Sequence, residues 1–378
     1  MASITCTEND VLLCNSGSTS LKLQVRGLLD ETPVSSLHVS GSAQHLCDRL
    51  ASVLAATPAP RLIAHRIVHA GLVTEQAQRI DDALLQQISH WSVLAPLHNP
   101  LALSLIAQVR QRWPQLPQYA IFDSGLYAQL PAVASHYALP ASLSPRWPLR
   151  RYGFHGLAHR NQWRQVRAIS QDFGLLPPRR MISLHLGGGC SLSAWQGERV
   201  IDTSMGFTPL EGLVMATRSG SIDPGIVLHL LQQEGMSLAQ VNELISAQSG
   251  LASVDGGDGD MRALLAADTP QARQLLELYC YQLRRHIGAA VAVLGGLDAI
   301  SIGGGVGEHQ ALIREQVLGR LEVFGVALDP AQNTAAEGLA ALHTTASRVK
   351  LWLTPVNEFD EMFRQCVPLL AKEVERVT

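Results

Sequence analysis

Two short runs hold the residues best suited to chemistry. RRYGFHG at 150–156 sets Arg150, Arg151 and His155 close together, and MGFTPLEGLVMATRSGSIDPG at 205–225 adds Arg218 among glycines and small apolar residues. Both runs read as loop. Forked guanidiniums and an imidazole bond phosphate or carboxylate oxygens, whereas a packed core has no use for such a cluster of cations. The chemistry they suggest is the holding of several negative charges on a small molecule.

The elements that must position these groups can be read from the flanking patterns. NSGSTS at 15–20 lies between the β-type runs Val11–Leu13 and Leu21–Val25. It offers backbone N–H groups with Asn15, Ser18 and Ser20, and Lys22 just beyond, so it reads as an anion-binding hairpin or as a plain solvated turn. The GxxxxGK[ST] spacing of a Walker loop is absent from it. A second such unit runs from Met181–Leu186 through Gly187, Gly188 and Gly189 into Cys190–Trp195 and Val200–Thr203. Gly17, Ser20 and Leu21 match Gly188, Ser191 and Leu192 at an offset of 171, as a duplicated fold with one phosphate hairpin per half would produce. SIGGGVGE at 301–308 is a third glycine loop, preceded by a helical pattern at Leu276, Cys280, Leu283 and Ile287. Another helical face follows it, with Leu312 or Ile313, then Val317 and Leu321. In HRIVHAG at 65–71, strand alternation puts Arg66 and Val68 on one face and His65 and Ile67 on the other. A cation beside a small apolar wall suits a short carboxylic acid, and a strand end with a surface arginine is the plain alternative. His98 sits in the proline-bounded loop LAPLHNP at 94–100, and Asp123 ends the strand-like Tyr119–Phe122. A carboxylate there serves a metal, orients a cation or caps a turn.

At 378 residues the chain suits two domains, and 47% hydrophobic with 16% charged residues indicates a well-buried globular protein. A net charge of −3 leaves no electrostatic footprint for nucleic acid or an anionic membrane surface, so anion-binding groups must be concentrated locally. The polar start carries no charged-then-apolar leader, and the expectation is a protein without a signal peptide. The longest apolar run, Ile287 to Val306, is broken by Asp298 and glycines, which predicts buried helix, strand and loop in place of a membrane span. Six cysteines lie far apart without a CxxC pair, the pattern of reduced cytoplasmic thiols and not of a structural zinc site. Pro-rich 140–148 reads as the hinge between the halves.

Taken in order from about residue 11 to 362, these motifs resemble the acetate kinase family of short-chain carboxylate kinases. NSGSTSLK is similar to the family's N-x-G-S-S-S-x-K, HRIVHAG to HRxVHGG, LAPLHNP to the same string letter for letter, RRYGFHG to R-[RK]-Y-G-F-H-G, and HLGGG at 185–189 to H-L-G-N-G. The resemblance implies catalytic roles for Asp123, His155, Arg218 and Arg66, with His155 and Arg218 neutralising charge on a phosphoryl group in flight. It implies an acetate pocket of Arg66, Val68, Leu97, Phe154 and Pro209. ATP and its phosphates would fall to Asn15, Ser18, Ser20, Lys22, His98, His185 and the glycines 187–189. Asp260, Met261, Arg262, Gly305, Val306 and Gly307 would frame the adenosine. Glu358, with Asn15, would hold magnesium, manganese being an alternative ion. The sequence departs from the family pattern at Tyr127, Gly188, Ala216, His309 and Phe359. Gly188 and His309, where the family has asparagine, bear on the nucleotide half.

The expected fold is a duplicated α/β architecture of the acetate- and sugar-kinase/Hsp70/actin type (ribonuclease H-like), with two domains and an interdomain cleft. One domain would span 1–140 plus 357–378; the other, 141–356, would bind the nucleotide and supply a homodimer contact. The expected reaction is reversible, magnesium-dependent phosphoryl transfer from ATP to acetate by direct in-line attack. A propionate or butyrate kinase, or a relative using another phosphoryl donor, is the alternative within the enzymes. A nucleotide-driven module of the Hsp70 or actin type, which needs no acyl pocket, is the alternative outside them.

Overall fold

The apolar runs fold as strands that pair into two six-stranded sheets. The computed structural model describes residues 4–17, 19–27, 32–74, 76–143, 148–254 and 257–375. The first sheet is built from β1 (Asp10–Ser16), β2 (Ser20–Gly27), β3 (Pro33–Ser40), β4 (Leu62–Ile67), β5 (Gln78–Arg79) and β6 (Gln118–Phe122). Its order is β3-β2-β1-β4-β6-β5. The second contains β7 (Arg180–Leu186), β8 (Cys190–Gln196), β9 (Arg199–Thr203), β10 (Ala299–Gly303), β11 (Ala340–Ala341) and β12 (Lys350–Leu353). Read from its other edge, its order is β9-β8-β7-β10-β12-β11, the first sheet repeated. Strand sense repeats as well. In each sheet the first three strands form an antiparallel meander, three strands run parallel (β1, β4, β6 and β7, β10, β12), and a two-residue strand closes the edge antiparallel. The duplicated α/β architecture expected from the glycine hairpins is present in topology.

The repeat is not carried residue by residue. Leu21 pairs with Ser16 across the first hairpin, while Leu192 pairs with Leu184 across the second. The offset that aligns the loop residues therefore fails along the partner strand.

The chain divides into one unit of Met1–Ala128 with Asn357–Thr378 and another of Gln129–Val356. Residues 129–140 go with the second unit because Arg151 N–H bonds Ser135 O at 2.6 Å and His136 bridges to Arg150. Of the Pro-rich segment 140–148, residues 144–147 lie outside the described residues. The helix that follows each sheet in sequence packs on the other sheet. Gly156–Asp172 lies against β7 and β10, and Glu358–Glu375 lies against β1 and β4.

In the first unit β1 and β6 are buried along their whole length, as parallel strands covered on both faces must be. Helices Ala43–Ala56 and Asn99–Arg112 supply Leu46, Leu50, Leu101 and Leu105 to a core with Leu12, Leu23 and Ile63. Each such leucine contributes about 1.5–3 kcal/mol on burial. In the second unit the 25-residue helix Pro270–Leu294 buries Leu276, Cys280, Leu283 and Ile287, the spacing seen in the sequence. Thr269 caps its start, and Gly295 ends it in the left-handed conformation (φ 67°). The apolar run 287–306 is thus the end of this helix, a Gly-Gly turn and β10. No helix among the described residues is long and apolar enough to cross a membrane.

Candidate active site

Parallel strands end together, and a cluster of polar side chains at their carboxyl ends is where such sheets place ligands. In the first unit Asn15 lies near the end of β1, Arg66 near the end of β4, and Asp123 just past β6. Arg66 forks onto Asp123, with Nε–Oδ1 at 3.0 Å and Nη2–Oδ2 at 2.5 Å. Its Nη1 donates to Asn15 Oδ1 at 3.0 Å and stands 3.7 Å from Glu358 Oε2. Asn15 Nδ2 donates to that same oxygen at 2.7 Å. Burial opposes the charge on Arg66, but the Asp123 and Glu358 carboxylates outweigh it and raise its pKa. The side chain is a fixed cation with every nitrogen engaged. Val68 is buried nearby in sequence. Strand alternation sends His65 to the other face, where it is buried and bonds Gln118 Oε1 at 2.8 Å; burial lowers its pKa to about 4.

The remaining residues assigned to this unit are placed less tightly. Lys22 is exposed on β2 directly across from Asn15. Gly17 N–H bonds Ser20 O at 2.8 Å and so shapes the hairpin, while Ser18 lies outside the described residues. His98 is half-buried at the start of helix Asn99–Arg112 without capping it through its side chain, and Leu97 beside it is 55% exposed. Asn99 holds that loop, bonding His69 O at 2.6 Å.

In the second unit His155 caps helix Gly156–Asp172 in the left-handed region (φ 59°, ψ 29°), a conformation that costs a non-glycine residue about 1–3 kcal/mol. Its Nδ1 is 2.9 Å from Ser191 Oγ on β8. The opposite edge of the ring faces the glycine hairpin: a Cβ placed on Gly189 would lie 3.0 Å from His155 Nε2 and 3.9 Å from Arg218 Nη1. Only glycine leaves that space open. Arg218 Nη1 donates to Pro209 O at 3.0 Å, and its other N–H groups have no partner among the described residues. Burial lowers its pKa, yet an arginine stays charged at neutral pH. Arg218 is thus a half-buried cation beside the glycine hairpin, with donors left over after the bond to Pro209. The His185 ring centroid stands 4.8 Å from that of His155, and Phe154 is buried.

A cavity of about 430 Å³ opens beside this hairpin, lined by Gly187, Gly188, Asp260, Met261, Arg262, Gly305, Val306 and His309, with Ala216, Leu251, Asp258, Gly259 and Gln310. Seven of the residues assigned to the nucleotide are gathered here. Asp260 caps the short helix after it and pairs with Arg262 at 2.6 Å; the hydrogen bonds from Arg262 hold its carboxyl down to about 2. Gly304 (φ 82°) turns the chain out of β10, and a Cβ there would strike Leu186 O at 2.7 Å. Gly307 has no room either, its Cβ falling 2.7 Å from Ile302 Cγ2.

Two features escaped sequence reasoning. Arg150 and Arg151 read as anion ligands, but Arg151 pairs with Glu211 Oε1 at 2.8 Å and bonds Ser204 O at 3.2 Å, and Arg150 bonds the Arg151 carbonyl. With Tyr137 on the same glutamate, Arg151 braces the loop that carries Pro209. The other feature is a buried series of serines and histidines behind His155, hinted at only by His159 standing four residues on, one helical turn away. Asp123, expected to orient the reacting groups and the metal site, accepts from Arg66 through both of its oxygens.

A family model described as the acetokinase family matches residues 44–363. The acetate kinase of Streptomyces coelicolor is 38% identical over 321 residues, 84% of this chain and 78% of that protein. That of Rhodopseudomonas palustris is 38% identical over 296 residues, 78% of this chain and 74% of that one. Among solved structures, an acetate kinase of Porphyromonas gingivalis superposes with a TM-score of 0.82 at 27% identity, covering 96% of this chain and all of that one. A propionate kinase of Francisella tularensis gives 0.83 at 28% identity over 94% of this chain and 98% of that one. On the length of these matches and their agreement with the repeated topology, the chain belongs to the acetokinase family.

Proposed function

We propose that the protein is a magnesium-dependent acetate kinase that transfers the γ-phosphoryl group of ATP to acetate, giving acetyl phosphate and ADP, reversibly. A carboxylate oxygen of acetate attacks the γ-phosphorus. The bond from that phosphorus to the bridging oxygen breaks, and its electron pair leaves on the β-phosphate of ADP. Acetate is already ionised at neutral pH, so no base is needed, and the task for protein groups is to neutralise and orient charge. Arg218 and the ring of His155 are preorganised for the phosphoryl oxygens, and such donors are typically worth about 10²–10³ each in kcat. Arg66 anchors the carboxylate, with Val68, Leu97, Phe154 and Pro209 around the methyl group. Adenosine occupies the cavity bounded by Asp260–Arg262 and Gly305–Gly307, and Asn15, Ser18, Ser20, Lys22, His98 and His185 attend the phosphates.

Magnesium keeps several waters and takes one or two carboxylates plus substrate phosphates. Glu358 fits that need: its carboxylate is partly exposed (17%), and Asn15 steadies one of its oxygens. When bound there, the ion supplies positive charge to the phosphate oxygens. We place the protein in the cytoplasm as a homodimer. Six unpaired thiols agree with the first, and helix Pro224–Gln232, which buries none of its residues and exposes Ile226 and Leu228, agrees with the second.

The observation that carries this reading is Arg218, a half-buried cation beside a glycine hairpin whose remaining N–H groups have no partner among the described residues. The test is ATP-dependent acyl hydroxamate formation with acetate, propionate and butyrate in parallel. Acetate should give the highest kcat/KM, and no product from any acid would end the proposal. A propionate kinase is the second reading, favoured by the equally close match to the Francisella structure.

A further inference from the structure

An imidazole donates toward a phosphoryl group only through a ring nitrogen that carries a proton. Which nitrogen of His155 does so is set by groups behind it. Trp195 Nε1 donates to Ser183 Oγ at 2.8 Å, and Ser183 Oγ is 2.7 Å from His159 Nδ1. His159 Nε2 is 2.8 Å from Ser191 Oγ, which is 2.9 Å from His155 Nδ1. Ser183, His159, Ser191 and Trp195 are all buried. Burial first, and the nearby His185 second, lower the pKa of His159 and keep it neutral.

We infer that Ser183, His159 and Ser191 form a hydrogen-bond chain of fixed polarity that holds His155 as the neutral Nε2–H tautomer, aimed at the phosphoryl group. This rests on the acetate kinase reading. The polarity follows from donor counting, since hydrogens are assigned from the network around them. The indole can only donate, so one lone pair of Ser183 is taken and its hydroxyl proton must go elsewhere. Among the described residues, His159 Nδ1 is the one remaining partner of that hydroxyl. His159 then carries its proton on Nε2 and gives it to Ser191, and Ser191 gives its own to His155 Nδ1. Every donor behind His155 is satisfied, and the proton of neutral His155 sits on Nε2, the edge against Gly189. Reversing the chain would leave the Ser183 hydroxyl buried without an acceptor, a penalty of about tenfold or more in population.

The same chain resists protonation of His155, because a proton on Nδ1 either reverses the chain or takes from the Ser191 hydroxyl its acceptor. His159 and Ser191 face the ring from within, while His185 on β7 and the Arg218 cation face it from the hairpin side. Ser183 and Ser191 are therefore positioning residues. They act on the phosphoryl group through His155 alone.

The experiment is two-bond ¹H–¹⁵N correlation on the full-length protein labelled with ¹⁵N-histidine, the His155 signals being those lost in His155→Gln. Near neutral pH the wild type should show Nδ1 unprotonated and Nε2 protonated. Ser191→Ala and Ser183→Ala should populate the Nδ1–H form, lower kcat about tenfold with KM for acetate and ATP unchanged, and move the acid limb of kcat up by about one pH unit. Ser183→Thr, which keeps the hydroxyl, should retain the wild-type tautomer and profile. An Nδ1–H tautomer in the wild type overturns the inference even if no variant folds, and so does a Ser191→Ala protein with an unaltered spectrum and acid limb. Loss of the acetate kinase reading would show separately, as a wild type that makes no acyl phosphate while its histidine spectrum stands.

Discussion

Removing Asp123 should damage stability and chemistry by separable routes. In Asp123→Ala the Arg66 guanidinium loses two charge-assisted hydrogen bonds, at 3.0 and 2.5 Å, in a place where the arginine side chain is 12% exposed and the aspartate 1%. Solvent screens such a loss little, and removing the main partner of a buried charge typically costs about 3–5 kcal/mol. At about 2–4 °C per kcal/mol this is a fall in Tm of about 6–20 °C. The nearest other carboxylate to Arg66 is Glu358, 3.7 Å away, so the freed guanidinium should close on it and compete with magnesium. Activity should then fall at least about 10²-fold, with part of it recovered by raising magnesium. Replacing both partners, Arg66→Met with Asp123→Leu, removes the unmatched charge and should restore stability to within about 1–2 kcal/mol of wild type while activity stays lost. Because two units need not unfold together, the assay is hydrogen exchange of peptides covering β4 and β6, run beside melting curves. A loss below about 1 kcal/mol in the single variant, or a double variant as unstable as the single, would refute the argument that the pair is buried and mutually dependent.

Three further outcomes are expected. Val68→Ala should raise the propionate-to-acetate ratio of kcat/KM by about fourfold, the worth of one buried methylene, and an unchanged ratio would remove Val68 from the acyl pocket. Gly188→Asn should fold normally, because a Cβ there meets nothing within 4 Å, whereas Gly304→Ala should abolish ATP binding in calorimetry because its Cβ strikes Leu186 O at 2.7 Å; equal behaviour of the two would show that hairpin shape does not govern binding. His65, with a pKa of about 4 in the fold against an ordinary 6.5, binds fewer protons folded than unfolded between those values, so its contribution is complete above pH 6.5 and is lost as pH falls toward 4. Unfolding free energies from urea titrations should therefore drop over that window, by about 3 kcal/mol from this residue, and His65→Gln should flatten the slope.

Local pattern in the sequence determined a good deal. Strand and helix positions followed from apolar period, and the glycine hairpins marked the duplication, because turn chemistry and side-chain alternation act over a few residues. Motif order was enough to name the family and to nominate Arg66, Asp123, His155 and Arg218. Partners distant along the chain were decided by tertiary structure alone. Which group an arginine bonds depends on what the fold brings beside it: Arg151 went to the Glu211 carboxylate, sixty residues away, and Arg218 to the Pro209 carbonyl. The hairpin repeat is likewise constant in its loop residues yet differs in register, since pairing is set by both strands and the sequence match covers only one. The chain from Trp195 to His155 joins one helix to two strands, and no spacing along the sequence encodes it. Its polarity comes from an indole that can only donate, placed by folding against a serine twelve residues before it.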